Sequence, residues 1–159
     1  AGAEPAALTL EITETAAMAD APLVTAALAR LSGHGFALSM DDFGTGCSSL
    51  AELHRMPFQE LKIDRSFVSG MLRDREAMVI TRAVIDMARR LGLRSVAEGV
   101  EDAEVLDALD DMGCDIAQGF LIGRPMPSGR FLDWLDRGGV VARPSLPALF
   151  FVPPGRIAA

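Results

Sequence analysis

Polar side chains stand at five places in this chain of 159 residues where the neighbouring residues are apolar. The set consists of Glu11, the pair Asp41 and Asp42, Lys62, Glu98 and Gln118. Carboxylates that meet at one place repel one another unless cations compensate their charge. Oxygen ligands of this kind favour Mg²⁺ or Mn²⁺ over zinc, which prefers His and Cys. If the five places converge in the fold, they predict a divalent-metal site.

The types of these residues suit the hydrolysis of a phosphodiester. The adjacent carboxylates Asp41 and Asp42 can serve two ions about 3.5 to 4 Å apart, as in two-metal hydrolases. Lys62, the only lysine in the sequence, offers a point charge to a phosphate oxygen or an activated water. The glycines of Gly44-Thr45-Gly46 form a flexible loop that can close over a ligand. A single carboxylate at a strand end is more often a helix cap or a solvated loop residue, so the hypothesis depends on the whole set.

Each of these polar places falls at the end of a short run that is typical of a buried strand. The runs are Leu8–Thr13, Phe36–Met40, Glu60–Ile63, Arg94–Ala97 and Asp115–Ala117. Because they alternate with helical patterns, the sequence predicts five parallel βα units in an α/β fold. Successive strand residues face opposite sides, so Glu11 points away from Leu10 and Ile12. We therefore expect the polar residues to meet at the carboxyl ends of the strands, where α/β folds bind ligands.

Helix boundaries are marked at both ends of four apolar-periodic segments. A residue with a short oxygen side chain precedes or opens each one, and a glycine ends it. The predicted starts are Asp20, Asp74, Asp102 and Ser128, and the predicted ends are Gly33 with Gly35, Gly92, Gly113 and Gly138. A shorter helix is expected from about Ser48 to Arg55. Prolines and glycines interrupt every pattern after Arg137, which predicts a tail over residues 138–159.

The composition excludes several classes of protein. A net charge of −7 argues against binding to DNA, RNA or a membrane surface, which requires a basic face. No apolar run approaches the roughly 18 to 20 residues that span a bilayer, and no signal-peptide pattern is present. Cys47 and Cys114 are interpreted as reduced thiols, so a cytoplasmic location is expected. The chain begins at Ala1 without a methionine, so we expect an incomplete amino terminus.

Five motifs, in their order and spacing, resemble those of the EAL domain, the cyclic-di-GMP phosphodiesterase domain of bacterial signalling proteins. The resemblance extends from about Leu8 to Leu135. The motifs are Glu11-Ile12-Thr13-Glu14, Asp41-Asp42-Phe43-Gly44-Thr45-Gly46, Leu61-Lys62-Ile63-Asp64-Arg65-Ser66-Phe67-Val68, Ala97-Glu98-Gly99-Val100-Glu101, and Gln118-Gly119-Phe120 with Arg124-Pro125-Met126-Pro127.

The resemblance implies a role for each matching metal ligand. Glu11 resembles a ligand of the first ion, Asp41 the aspartate that bridges two Mg²⁺ or Mn²⁺ ions, and Asp42 a ligand of the second ion. Glu14 resembles the glutamate that anchors the loop after Asp42. That loop and the following helix imply a homodimer of the intact protein.

It also implies the remaining catalytic and binding roles. Lys62 resembles the lysine that contacts the nucleophilic water or the scissile phosphate. Glu98 resembles a general base or second-ion ligand, and Gln118 the amide that positions water. Arg124 and Pro125 are expected to contact the nucleotide. The implied reaction opens cyclic di-GMP to linear pGpG.

The resemblance is incomplete at the amino terminus. The family barrel has eight strands, and its Glu-Ala-Leu strand and an Asn-bearing strand, which supply two ligands of the first ion, precede the segment that matches Glu11. Residues 1–137 are therefore expected to be the carboxyl-terminal part of an EAL domain, an open and incomplete TIM-type barrel. Because of the missing ligands, weak or absent activity is expected in isolation, and the resemblance allows for further upstream domains.

Two other functions are compatible with the same residues. One is a non-catalytic module, derived from an EAL domain, that binds cyclic di-GMP or a protein partner. In-frame upstream sequence encoding the two missing strands would favour the enzyme over this module. The other is an unrelated metal-dependent barrel enzyme, such as an aldolase acting on a phosphorylated sugar.

Overall fold

Five parallel strands form one open sheet in the computed structural model, which describes residues 4–44 and 50–136. The strands are β1 (Thr9–Thr13), β2 (Ala37–Phe43), β3 (Glu60–Ile63), β4 (Arg94–Ala97) and β5 (Ile116–Ala117). They are hydrogen-bonded in chain order, and every neighbouring pair is parallel. The prediction of five parallel βα units in an open sheet is confirmed. The predicted tail, residues 138–159, lies outside the described residues.

The second strand is longer than the sequence predicts. It was expected to end at Met40, but β2 continues to Phe43 and therefore contains both Asp41 and Asp42. Phe43 is buried and pairs with Ile63 of β3, which holds the polar pair inside the strand. The metal-ligand candidates of β2 are thus fixed by sheet pairing and do not belong to a loop.

Seven helices accompany the strands in the described part of the chain. Each of the predicted helices appears, although α7 begins at Ser128 itself. The two shortest helices, α1 and α4, were not predicted, since four or five residues are too few to show a helical period. The helices are α1 (Glu14–Met18), α2 (Ala21–Gly33), α3 (Leu50–Arg55), α4 (Arg65–Val68), α5 (Arg75–Leu91), α6 (Ala103–Met112) and α7 (Ser128–Asp136).

Aspartate side chains cap two of the three helices for which they were predicted. The Asp20 carboxylate accepts a hydrogen bond from the Leu23 backbone N–H at 3.3 Å, and Asp74 accepts one from Glu76 at 2.8 Å. Each bond satisfies an amide that the first helical turn leaves without an intrahelical partner. Asp102 precedes α6 as predicted, but its side chain makes no capping hydrogen bond. The prediction of a side-chain cap at Asp102 is therefore wrong.

Glycines in the left-handed conformation end two helices as predicted. Gly92 and Gly113 have φ values of 72° and 75° after α5 and α6. Of the two glycines that were predicted to end α2, Gly35 is confirmed and Gly33 is wrong. Gly33 remains helical, His34 is the cap residue, and Gly35, with φ of 93°, makes the left-handed turn.

The core lies between the sheet and the helices that cover it. Leu61 and Ile63 of β3 are fully buried, as are Leu38 and Met40 of β2. The helices contribute the other side of this layer, chiefly residues of α5 and α6: Ala77, Val84, Ile85, Ala88, Val105, Leu106, Leu109 and Met112. Burial of this apolar surface is the main free-energy gain of folding. The residues of β3 that alternate with the core face are therefore free to carry polar groups.

Side-chain hydrogen bonds fix the strand register at the amino ends of the strands. The Asp115 carboxylate accepts from both the backbone N–H and the hydroxyl of Ser95, each at 2.8 Å. The Gln59 side-chain carbonyl accepts from the Leu38 N–H at 2.7 Å. A slip of one residue would reverse the face of every side chain in a strand, so these bonds also determine which residues reach the opposite end.

The described residues contain no helix that is both long and apolar enough to cross a membrane.

Gly119 provides a test of this packing. A Cβ atom there would overlap the backbone of Val100, so we expect Gly119→Ala to lower the free energy of unfolding by about 1–3 kcal/mol. Urea denaturation followed by circular dichroism measures the change. Gly129→Ala is the matched control, because a Cβ at Gly129 meets nothing within 4 Å. Equal stability of the two variants would contradict the close contact between Gly119 and Val100.

Candidate metal centre

A single buried ammonium group forms ion pairs with three of the acidic residues that were predicted to lie at the strand ends. Lys62 Nζ lies 2.8 Å from Glu11 Oε1, 3.1 Å from Asp41 Oδ1 and 2.5 Å from Glu98 Oε1. The lysine side chain is 3 % exposed. We call these four residues the Lys62 cluster. The cluster shows that residues separated by up to 87 positions in the sequence meet at one point.

The strand register places these side chains on the same face of the sheet. Glu11 of β1 is aligned with Ser39, and Thr13 is aligned with Asp41, so Glu11 and Asp41 lie one pleat apart. Glu98 follows the last residue of β4, and its backbone N–H donates to the carbonyl of Ile63 at 3.2 Å. Lys62 occupies the intervening strand, β3, and its long side chain reaches all three carboxylates.

A distortion of β2 brings the second aspartate to the same site. Among the described residues, Asp42 is the one non-glycine residue with a positive φ, at 55°. The pairing of β2 with β3 shifts register between Met40 and Phe43, which is the signature of a β-bulge. The Asp42 N–H also donates to Asp41 Oδ1 at 3.0 Å. In a regular strand the two carboxylates would point to opposite faces, whereas the bulge redirects one of them.

The bulge creates a group of carboxylates that is suited to a metal ion. Asp41, Asp42 and Glu98 each offer an oxygen, and these atoms lie within 4.8 Å of one another. We call them the three-carboxylate group. Glu11 is a partner of Lys62 and does not belong to this group. The donors are all carboxylate oxygens, the ligand type preferred by Mg²⁺ and Mn²⁺, so the residues fit a hard divalent cation.

The environment changes the proton affinities of the site residues. Burial raises the pKa of Glu98, although Lys62 opposes the shift. Burial also raises the pKa of Asp42, and the negative charges of Asp41 and Asp64 add to the effect. Burial alone would lower the pKa of Lys62, but its hydrogen bonds to Glu11 and Glu98 outweigh that effect and raise it. The lysine therefore stays charged.

Glu14 lies beside the start of the loop that it was predicted to anchor. Its side chain is buried, and its Oε2 accepts a hydrogen bond from the Gly44 N–H at 3.1 Å. Because Glu14 opens α1 directly after β1, this bond connects the end of β1 with the end of β2. Residues 45–49, which include Cys47, lie outside the described part of the chain. A role of Glu14 in anchoring the whole loop stays a prediction.

Besides Glu14, three predicted site residues are not partners of Lys62 or members of the three-carboxylate group. Gln118 follows β5, and its backbone N–H donates to the Ala97 carbonyl at 2.8 Å, so it lies at the correct end of the sheet. Arg124 is exposed, and its guanidinium carbon lies 4.5 Å from the centre of the Phe120 ring. Pro125 is exposed beside it. Their contacts with a substrate stay predictions.

Asp64 is a site neighbour that the sequence reasoning did not select. It stands two residues after Lys62, directly beyond β3, and its carboxylate accepts hydrogen bonds from the backbone and hydroxyl groups of Ser66. It therefore caps α4, while its charge contributes to the raised pKa of Asp42. Its position at the carboxyl end of a predicted strand is the sequence signal that could have identified Asp64 as a site residue.

Because an acidic site lies at the carboxyl ends of its parallel strands, this protein belongs to the class of α/β proteins with a candidate divalent-metal centre. Residues 1–125 match the sequence profile of the EAL domain family. The chain belongs to the EAL domain family. EAL domains have a TIM-barrel fold, and the five βα units described above form part of such a barrel.

The relatives of this chain include two proteins of Pseudomonas aeruginosa. The chain is 46 % identical over 129 residues to the bifunctional diguanylate cyclase/cyclic di-GMP phosphodiesterase MucR, covering 81 % of this chain and 19 % of MucR. It is 42 % identical over 130 residues to the cyclic di-GMP phosphodiesterase RocR, covering 82 % of this chain and 33 % of RocR. The chain thus spans one third or less of the length of these relatives.

Solved EAL structures show the same backbone arrangement. The cyclic-di-GMP complex of the MucR phosphodiesterase superposes with a TM-score of 0.79 at 46 % identity, covering 80 % of this chain and 52 % of that structure. A manganese and cyclic-di-GMP complex of Klebsiella pneumoniae BlrP1 superposes with a TM-score of 0.72 at 33 % identity, covering 78 % and 32 %. With the family established, the alternative of an unrelated sugar-phosphate aldolase is set aside.

Thermal melting tests the metal centre directly. We expect Mn²⁺ or Mg²⁺ to raise the melting temperature of this chain by several degrees at about 100 times the dissociation constant, which corresponds to roughly 2.7 kcal/mol. Asp42→Asn should remove most of this shift, because it deletes one anionic ligand. Glu104→Gln, which removes an exposed carboxylate on α6, should retain it. An identical shift in both variants would exclude the three-carboxylate group as the binding site.

Proposed function

We propose that this chain is the carboxyl-terminal part of a cyclic-di-GMP phosphodiesterase domain that opens the cyclic dinucleotide to linear pGpG. The observation that carries the proposal is the meeting of Glu11, Asp41 and Glu98 around Lys62, with Asp42 added by the bulge. Relatives named as cyclic-di-GMP phosphodiesterases support the choice of substrate. The proposed setting is bacterial second-messenger signalling in the cytoplasm.

The proposed reaction is the hydrolysis of one phosphodiester bond. Water attacks phosphorus, the bond to the 3′ oxygen breaks, and the 3′ oxygen leaves with a proton. The new product therefore carries its phosphate on the 5′ oxygen. Two Mg²⁺ or Mn²⁺ ions would supply an activated water and neutralise charge on the phosphate.

The residues of the site have complementary roles in this proposal. Asp41 and Asp42 would hold the cations, with Asp41 as a ligand common to both, and Glu11 would contribute to the first. Glu98 accepts the proton of the attacking water, for which a raised carboxylate pKa is suited. Lys62 presents its fixed positive charge to the scissile phosphate.

The remaining predicted residues orient the reactants. Gln118, at the end of β5, positions water by its side-chain amide. Arg124 and Pro125 lie on the segment after Phe120 and contact the nucleotide. Glu14 holds the loop that begins at Gly44, and this loop and the helix after it form the homodimer contact of the intact protein.

Full activity in this proposal requires the other part of an EAL barrel. The chain covers 52 % of the MucR phosphodiesterase structure, so about half of that structure lies beyond the matched region. The alternative is a module that binds cyclic di-GMP or a protein partner without hydrolysing the nucleotide. Both are tested by assaying the chain alone and the chain fused behind the amino-terminal part of the MucR EAL domain.

In the fused protein, we expect Asp41→Asn to lower metal-dependent hydrolysis by about a hundredfold or more, because it removes a shared cation ligand. Chromatography of the nucleotide products with Mn²⁺ measures the rate, and circular dichroism checks the fold. Glu104→Gln is the control and should hydrolyse normally. Nucleotide binding without turnover in the unmutated fusion would favour the non-catalytic module. Normal turnover by Asp41→Asn would contradict the assignment of the cation site.

A further inference from the structure

The hydroxyl group of Ser39 is buried in the sheet and has no hydrogen-bond partner in the described part of the chain. Ser39 is 0 % exposed and stands on β2, two residues before Asp41. Its neighbours Leu38 and Met40 belong to the apolar core, so Ser39 faces the opposite side of the sheet, as Asp41 does. A buried donor without an acceptor is destabilising and uncommon in folded proteins. This hydroxyl is therefore a candidate to gain a partner when a ligand binds.

Two carboxylate residues flank Ser39 in the strand register. Ser39 is aligned with Glu11 of β1 on one side and with Glu60 of β3 on the other. The Glu60 carboxylate pairs with Arg94 at 2.5 Å. The ammonium of Lys62 has three N–H groups, and three carboxylates within 3.1 Å accept from them, so it has none left to donate to Ser39. The acceptor that remains at the candidate metal centre is Glu11.

The register also sets the side from which Ser39 approaches Glu11. Asp41 lies one pleat beyond Ser39, toward the carboxyl ends of the strands, where the cations of the proposed function would bind. The Ser39 hydroxyl therefore lies on the amino-end side of the Glu11 carboxylate. A carboxylate can bind a cation through one oxygen and accept a hydrogen bond at the other. Hydrogen bonds of this kind orient the ligands of metal sites and raise metal affinity.

We propose that Ser39 is a positioning residue for the first cation: its hydroxyl donates a hydrogen bond to the Glu11 carboxylate when that carboxylate binds the cation, and so fixes its orientation. The proposal rests on the metal site of the proposed function. Ser39 itself touches neither the cation nor the substrate. The metal-free protein lacks this hydrogen bond and gains it on binding, so the bond adds to the affinity for the cation.

Ser39→Ala separates this role from a structural one, because the two roles predict opposite effects with and without metal. Without metal, we expect the melting temperature to stay unchanged or to rise, since the lost hydroxyl has no partner there. With Mn²⁺, the rise in melting temperature should be smaller than in the unmodified chain. Calorimetric titration should give a dissociation constant for Mn²⁺ that is about tenfold higher.

Thr81→Val is the matched control. Thr81 is 0 % exposed on α5, and its hydroxyl likewise has no partner in the described residues. The substitution removes a second buried hydroxyl on the helical side of the sheet, so the dissociation constant for Mn²⁺ should change less than about threefold. Ser39→Thr keeps the hydroxyl and should restore the binding that Ser39→Ala weakens.

A double-mutant cycle tests whether Ser39 acts through Glu11. Glu11→Ala removes both the proposed cation ligand and the proposed acceptor, so it should weaken Mn²⁺ binding by itself. Adding Ser39→Ala to Glu11→Ala should then have no further effect on the dissociation constant, because the hydroxyl has lost the group that it orients. A serine that affected the site only through packing would weaken binding equally in both backgrounds.

The outcomes separate this inference from the proposed function. If the unmodified chain binds Mn²⁺ and Ser39→Ala binds it equally well, the positioning role is overturned and the metal site stands. The same conclusion follows if Ser39→Ala melts at a lower temperature without metal but keeps the full Mn²⁺ shift, or if it weakens binding as much when Glu11 is already alanine. Absence of Mn²⁺ binding to the unmodified chain would overturn the metal site and the positioning role together.

Discussion

The buried ammonium of Lys62 is the interaction on which the candidate site depends. Three carboxylates from separate segments surround it, and without a cation among them their mutual repulsion would oppose folding. One positive charge on the middle strand allows acidic residues to gather there before any ligand arrives. The site is therefore assembled by the fold, and the surplus negative charge of the group remains available for a divalent cation.

Strand register determines whether the carboxylates and the ammonium can meet at one end of the sheet. Hydrogen bonds at the amino ends of the strands, such as those between Asp115 and Ser95, fix which residues reach the carboxyl ends. At that end, the bulge around Asp42 is a local departure from regular pairing. A left-handed conformation costs a non-glycine residue roughly 1–2 kcal/mol, so the surrounding sheet must hold it in place. The bulge therefore lies at the candidate metal ligands of β2.

The relation to other EAL domains follows from the same geometry. The similarity to the MucR phosphodiesterase structure covers most of this chain but only 52 % of that one. Five consecutive βα units carry Asp41, Asp42, Lys62 and Glu98 on one sheet edge, and Glu14 connects β1 with the loop after β2. The site's central charges are thus contained within a continuous part of the barrel.

The sequence by itself determined the order of strands and helices, the caps at Asp20, Asp74, Gly92 and Gly113, and the polar residues at the strand ends. These features depend on local periodicity and on residue types with strong conformational preferences. Tertiary structure alone decided the extension of β2 through Phe43, the positive φ of Asp42, and the separation of Glu11 from the three-carboxylate group. Each of these features is set by pairing between strands that are distant in the chain. The local sequence of a strand does not indicate which other strand lies beside it.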